Sequence, residues 1–194
     1  TFNAKDFFNT LSVKQDNGKE NQLLTELAST FSDKTTEIYS VQQTLYLKDS
    51  INLAEFASKE RQLVKEQLEF IEKRGKKLKL SDSFINLLKA EINYGSINNL
   101  YQIGMKKRVH PDDKAVSFME EVSLTDTKSM ESCSYHLAVK FYFQYDFYNQ
   151  NTGNNVEIDK WFLNHMYDKG SQKLTGDIKE VFIASTAYTV ISNK

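Results

Sequence analysis

Apolar residues recur at three- and four-residue spacing along most of the chain, and few residues interrupt them. Leu24, Leu27, Ala28, Phe31, Ile38, Val41 and Leu45 mark one helix, or two in tandem, over about residues 20–47. The turn signal Asp16-Asn17-Gly18 precedes it. Leu53, Phe56, Leu63, Val64, Leu68 and Ile71 line one side of a second helix, from near Asn52 to Arg74, with charged residues opposite. Gly75 stands where a C-terminal glycine cap belongs, and the lysines around it complement the helix dipole.

Ser81 or Asp82 is placed to cap a third helix carrying Phe84, Ile85, Leu87, Leu88, Ile92, Tyr94, Ile97, Leu100 and Tyr101. These cover more than one stripe, so this helix reads as the buried centre, with Gly95 a point where it bends or breaks. Pro111 opens a short helix through about Val122. Helices over Ser129–Asn149, Val156–Lys169 and Thr175–Ser192 follow, the last capped by Thr175. Val139–Phe143 and Thr186–Ile191 are rich in β-branched and aromatic residues, but helical neighbours carry them into helices. The pattern predicts an all-α fold: an array of about six to eight helices, orthogonal or bundle-like. It fits a single helical domain over residues 1–194, with 1–79 and 80–194 as its sub-division.

Composition agrees. One proline and seven glycines in 194 residues leave long stretches without a helix breaker. An apolar fraction of 40% with 12% aromatics supports a packed core. The formal net charge of −1 argues against a general nucleic-acid binder. No apolar run approaches the roughly 18 residues of a membrane span. The chain begins at Thr1, as expected of a mature or trimmed product, and Cys133 has no second cysteine to pair with.

Few residues announce chemistry. Cys133 and His136 share a helical face, a spacing that suits an activated thiol or half of a zinc site. A second metal-ligating pair is missing, since His110 and His165 lie on other segments. A quiet, buried thiol beside an interfacial histidine is the simpler expectation, with slow labelling of the native protein by a thiol reagent. Glu66, Glu69 and Glu72 form a carboxylate row without the Glu-x-x-His of a di-iron bundle, as expected of a solvated face. Lys73, Arg74, Lys76, Lys77 and Lys79 could contact phosphates or anionic lipid, but complementing a helix C-terminus is the simpler expectation. Asp112 and Asp113 read as dipole complements after Pro111.

The aromatic block is less easily absorbed. Tyr135, Phe141, Tyr142, Phe143, Tyr145, Phe147 and Tyr148 wrap nearly all round one helix. Either that helix is central, with tyrosine hydroxyls at its rim, or the surplus rings form a binding surface. Tyr135, Tyr142, Tyr145 and Tyr148, with Tyr188 of the last helix, are the candidate interaction residues. No catalytic, cofactor-binding or metal-binding residue stands out, and no cofactor is expected.

From Ser81 onward the sequence resembles a known arrangement. "LSDSFINLLKAEINYGSINNLYQIGMKKR", Pro111 with "FMEEVSL", "YHLAVKFYFQY" and "LTGDIKEVFIAS" are similar to the helical region ahead of the thioredoxin-like domain in TlpA-like bacterial envelope thiol–disulfide oxidoreductases. The resemblance covers about Ser81 to Ile191 and rests on hydrophobic pattern plus placed residues such as Pro111 and Gly176. It implies the cell envelope, either the periplasm or an outer-membrane anchor, and a partner in a neighbouring thioredoxin-like domain of the parent chain. The family's Trp-Cys-x-x-Cys motif is not in this sequence, so no catalytic residue carries over. The expected function is a non-enzymatic accessory or interaction domain. A stand-alone helical scaffold or adaptor that binds protein or peptide through its aromatic face is the alternative, and a metal-dependent enzyme is a second.

Overall fold

The computed structural model describes residues 18–47, 53–107, 121–150 and 158–192, the outermost helical residues by backbone only. Among them are six α-helices and no strand: α1 Gly18–Leu47, α2 Leu53–Leu78, α3 Asp82–Lys107, α4 Cys133–Gln150, α5 Ile158–Lys173 and α6 Gly176–Ser192. A 3₁₀ turn, Thr127–Ser129, leads into α4. The all-α expectation is met, and the β-branched stretches of α4 and α6 are helical. The short helix expected after Pro111, with His110, Asp112 and Asp113, lies outside the described residues.

Each helix packs on the next in sequence, and α3 also meets α1 while α4 meets α6. Two apolar clusters result. Leu23, Leu24, Leu27 and Phe31 of α1 close on Leu63 and Ile71 of α2 and on Phe84 and Leu88 of α3. The larger cluster joins Phe56 of α2, Tyr94, Ile97 and Leu100 of α3, Tyr135, Val139 and Phe143 of α4, Met166 of α5, and Ile178 and Phe182 of α6. Helix α3 contributes to both, as a helix with apolar residues on several faces must. It runs unbroken through Gly95, where an added Cβ would meet only Ser134 Oγ at 3.7 Å.

The helix ends show how local sequence sets these bounds. Ser81 caps α3 by accepting a hydrogen bond from the Phe84 N–H at 3.2 Å. Ser132 does the same for α4, accepting from the Tyr135 N–H at 3.0 Å. The expected glycine cap on α2 is corrected: the helix passes through Gly75 to Leu78. Lys79 takes the left-handed position at φ 56°. The Leu80 N–H donates to the Gly75 carbonyl at 3.1 Å and the Lys79 N–H to the Lys76 carbonyl at 3.2 Å, which is a Schellman ending. Gly75 serves packing instead, since a Cβ there would lie 2.3 Å from Ile85 Cδ1. A β-carbon is strained at the Lys79 backbone angle. Lys79→Gly should therefore stabilise the protein by about 0.5–1 kcal/mol, read as a raised urea midpoint.

Candidate functional site

A broad concave surface follows from the antiparallel pair α2 and α3. Helix α1 covers one side of that pair through Leu63, Ile71, Phe84 and Leu88. The other side is left as an open groove of about 820 Å³, closed at one end by residues 126–129. Leu68, Ala90 and Tyr94 supply apolar floor, and Lys73, Lys76, Lys89 and Lys128 stand among its walls. A smaller hollow of about 300 Å³ continues it past Leu68, Glu69 and Asn93 to Arg61, Leu100 and Glu121.

The loop at the groove's end is pinned by one carboxylate. Asp126 accepts from the Tyr94 hydroxyl at 3.1 Å, the Ser129 hydroxyl at 2.6 Å and the Lys128 N–H at 3.2 Å. Burial, and then the charge of Asp126, raises the Tyr94 hydroxyl above its usual range. The same two causes push Tyr135 up to about 12, with its hydroxyl donating to the Ser123 carbonyl at 3.0 Å. Both tyrosines are therefore neutral hydrogen-bond donors that hold the loop, rather than acids or nucleophiles.

Ion pairs dress the groove's walls. Glu72 receives Lys89 from α3 and Lys76 from its own helix. These bonds, Lys89 first, hold its carboxyl below the usual range. Glu66 pairs with Lys34, and Glu26 accepts from Nε and Nη2 of the Arg74 guanidinium, tying α1 to α2. Glu66 and Glu72 of the carboxylate row, and Arg74 of the basic run, are thus in inter-helix pairs, while Lys73 and Glu69 face the groove.

Two buried carboxylates went unnoticed in the sequence. Glu60 is buried between α2 and α3, its Oε1 accepting from Asn99 Nδ2 at 3.3 Å and its Oε2 without a partner. Desolvation pushes it up to about 7, against weaker opposing bonds from Asn99 and Ser96. Glu91 accepts from the Ser134 hydroxyl at 2.6 Å, and Asn98 Nδ2 donates to the Ser134 carbonyl at 2.9 Å. That pair of bonds docks the start of α4 on α3. A signal existed: Phe56, Glu60 and Leu63, like Phe84, Leu88 and Glu91, share a helical phase.

The residues singled out in the sequence scatter. Tyr135 is fully buried and belongs to the core, not to a surface. Tyr142 and Tyr145 are half-buried against the larger cluster, with Lys173 Nζ 5.3 Å above the Tyr142 ring. The side chains of Tyr148 and Tyr188 lie outside the described residues. Phe143 and Phe147 are buried as well, so within the described part the aromatic block is a central core helix. His136 Nε2 lies 2.7 Å from the Met130 carbonyl. His165 Nε2 is 3.2 Å from Asp146 Oδ2, which bridges α5 to α4, and Lys173 Nζ lies 3.9 Å from Oδ1 of the same carboxylate.

Cys133 corrects an expectation. It opens α4 after the Ser132 cap and is exposed, where a buried thiol was expected. A position in the first helical turn, clear of the packed face, explains the exposure. A thiol reagent should now modify the folded protein at a rate within a few-fold of the urea-unfolded chain. Labelling that is slowed a hundred-fold by folding would contradict the exposed placement.

Among the described residues no group of three or more His, Cys, Asp or Glu is placed to hold a metal ion. No described helix is long and apolar enough to cross a membrane. No protein-family model matches the chain, and neither the curated proteins nor the solved structures contain a match.

Proposed function

We propose that this chain is a non-catalytic helical interaction module, and that it serves as the accessory region of a bacterial envelope protein of the thiol–disulfide oxidoreductase type. One observation supports the first half: an open groove of about 820 Å³ whose apolar floor is ringed by charged side chains and whose tyrosine, Tyr94, is committed to holding its end wall. Open grooves between two helices, with an apolar floor and a charged rim, are where proteins take partner segments. The sequence pattern from Ser81 to Ile191 supports the second half, with a neighbouring thioredoxin-like domain as the natural partner.

The two halves are tested separately. Reading the gene beyond the codon for Lys194 should reveal a continuous frame into a Trp-Cys-x-x-Cys domain. A stop codon instead would end the envelope assignment and favour a stand-alone adaptor. Metal analysis of the purified protein should give no stoichiometric zinc or iron; a full equivalent would replace the module reading with a metal-dependent enzyme.

A further inference from the structure

The groove's floor carries two polar groups that the fold does not use. Asn86 and Asn93 both line it, and neither side-chain amide is hydrogen-bonded to another described residue. Both are half-buried, as is Lys89 between them, whereas Lys73, Lys76 and Lys128 are exposed. Seven residues apart on α3, they share a face and are separated by about 10.5 Å along the axis. An asparagine amide offers one carbonyl acceptor and an NH₂ donor, the complement of one residue's N–H and C=O. In an extended chain of polyproline-II form, residues three apart present the same edge every 9 Å or so, about 9.3 Å. The flexible asparagine side chains absorb the remaining ångström.

That spacing discriminates between occupants. A docked α-helix satisfies its own N–H and C=O groups internally and would leave both amides idle. An extended segment brings free backbone groups to them. The charges narrow the choice further. Lys76 and Lys89 already share Glu72, and Asp126 is taken by Tyr94 and Ser129. The uncommitted charges are Lys73 and Lys128 against Glu69, which leaves the groove with positive capacity to fill. Leu68, Ala90 and Tyr94 between them suit an apolar side chain.

We propose that the α2–α3 groove binds an acidic peptide segment in extended form, its backbone held by Asn86 and Asn93 and its carboxylates by Lys73 and Lys128. The proposal rests on the interaction-module reading and names the chemistry of the partner. The probe is a fluorescein-labelled hexapeptide, Glu-Leu-Glu-Glu-Leu-Glu with blocked ends, titrated into the whole chain by anisotropy, with amide chemical shifts locating the site. Micromolar binding with shifts along α2 and α3 is expected. Asn86→Ala with Asn93→Ala should weaken it about tenfold, as two lost hydrogen bonds predict. Lys73→Glu with Lys128→Glu should weaken it at least as much, and both double variants should unfold at the parental temperature. Equal affinity for a peptide with lysine in place of each glutamate, or unchanged binding by either variant, would overturn the proposal. An acidic amphipathic helix that shifts the groove amides where the hexapeptide does not would overturn the extended mode and leave the module reading standing. No groove shift with either probe would overturn both.

Discussion

Phe143→Ala should cost about 3–5 kcal/mol, the range for emptying a fully buried aromatic site. Phe143 has no exposed surface, and its ring lies 4.9 Å from Phe182 of α6 and 5.4 Å from Tyr142. It sits in the cluster where α3, α4, α5 and α6 converge, so no single helix can shift to close the cavity. Domains of this kind hold about 5–15 kcal/mol in all, so the variant should sit near the edge of folding. Its melting temperature should fall by roughly 6–20 °C. Phe141→Ala is the control. Phe141 is half-buried and stacks on Tyr101 at 4.5 Å, so its loss should cost about 1–2 kcal/mol. Equal effects from the two, measured in the same urea titration, would mean that α4 is not the central helix described above.

That contrast shows what the sequence reveals and what it hides. Helix existence is legible almost everywhere, because three/four spacing has one structural meaning over long stretches without proline. The helix end at Gly75 is not legible. Glycine suits a cap and also suits close packing, and only the approach of Ile85 decides between them. Lys79 in the left-handed position carries no compositional signal at all. The aromatic block is ambiguous for a related reason. A helix apolar all round is either central or sticky, and its neighbours, not its own residues, settle which.

The candidate site is the least legible part. Asn86 and Asn93 look like ordinary polar positions of a mixed helix until α2 lies alongside and encloses them. Cys133 misleads in the opposite sense, since the burial preference of cysteine yields to its place at the start of α4. The Cys133 and His136 spacing is real, yet Met130 claims the imidazole, a backbone contact that no side-chain motif can announce. Glu60 is the exception. A carboxylate in phase with Phe56 and Leu63 is visible in the sequence as a charge placed where burial must follow.

Glu60 should make the protein's stability depend on pH near neutrality, and Glu60→Gln should abolish the dependence. The folded protein holds this carboxyl up to about 7, above the ordinary 4.5, because desolvation penalises its charged form. Among the described residues no cation offsets that penalty: Asn99 and Ser96 of α3 are neutral, and the adjacent Arg61 pairs with Glu121. The sign follows from proton counts. Between about 4.5 and 7 the unfolded chain releases this proton while the folded chain keeps it, so rising pH favours unfolding. The contribution is intact below that window, declines through it, and stays lost above it. The whole change amounts to about 3 kcal/mol. Glutamine keeps the shape and cannot ionise, so the variant should match the parent within about 1 kcal/mol at pH 4.5 and exceed it by about 3 kcal/mol at pH 8. Urea unfolding of both proteins at half-unit steps across this range measures the difference directly. Parallel stability curves would show that Glu60 ionises as an ordinary surface carboxylate, and that water reaches the α2–α3 interface where its unpartnered oxygen lies.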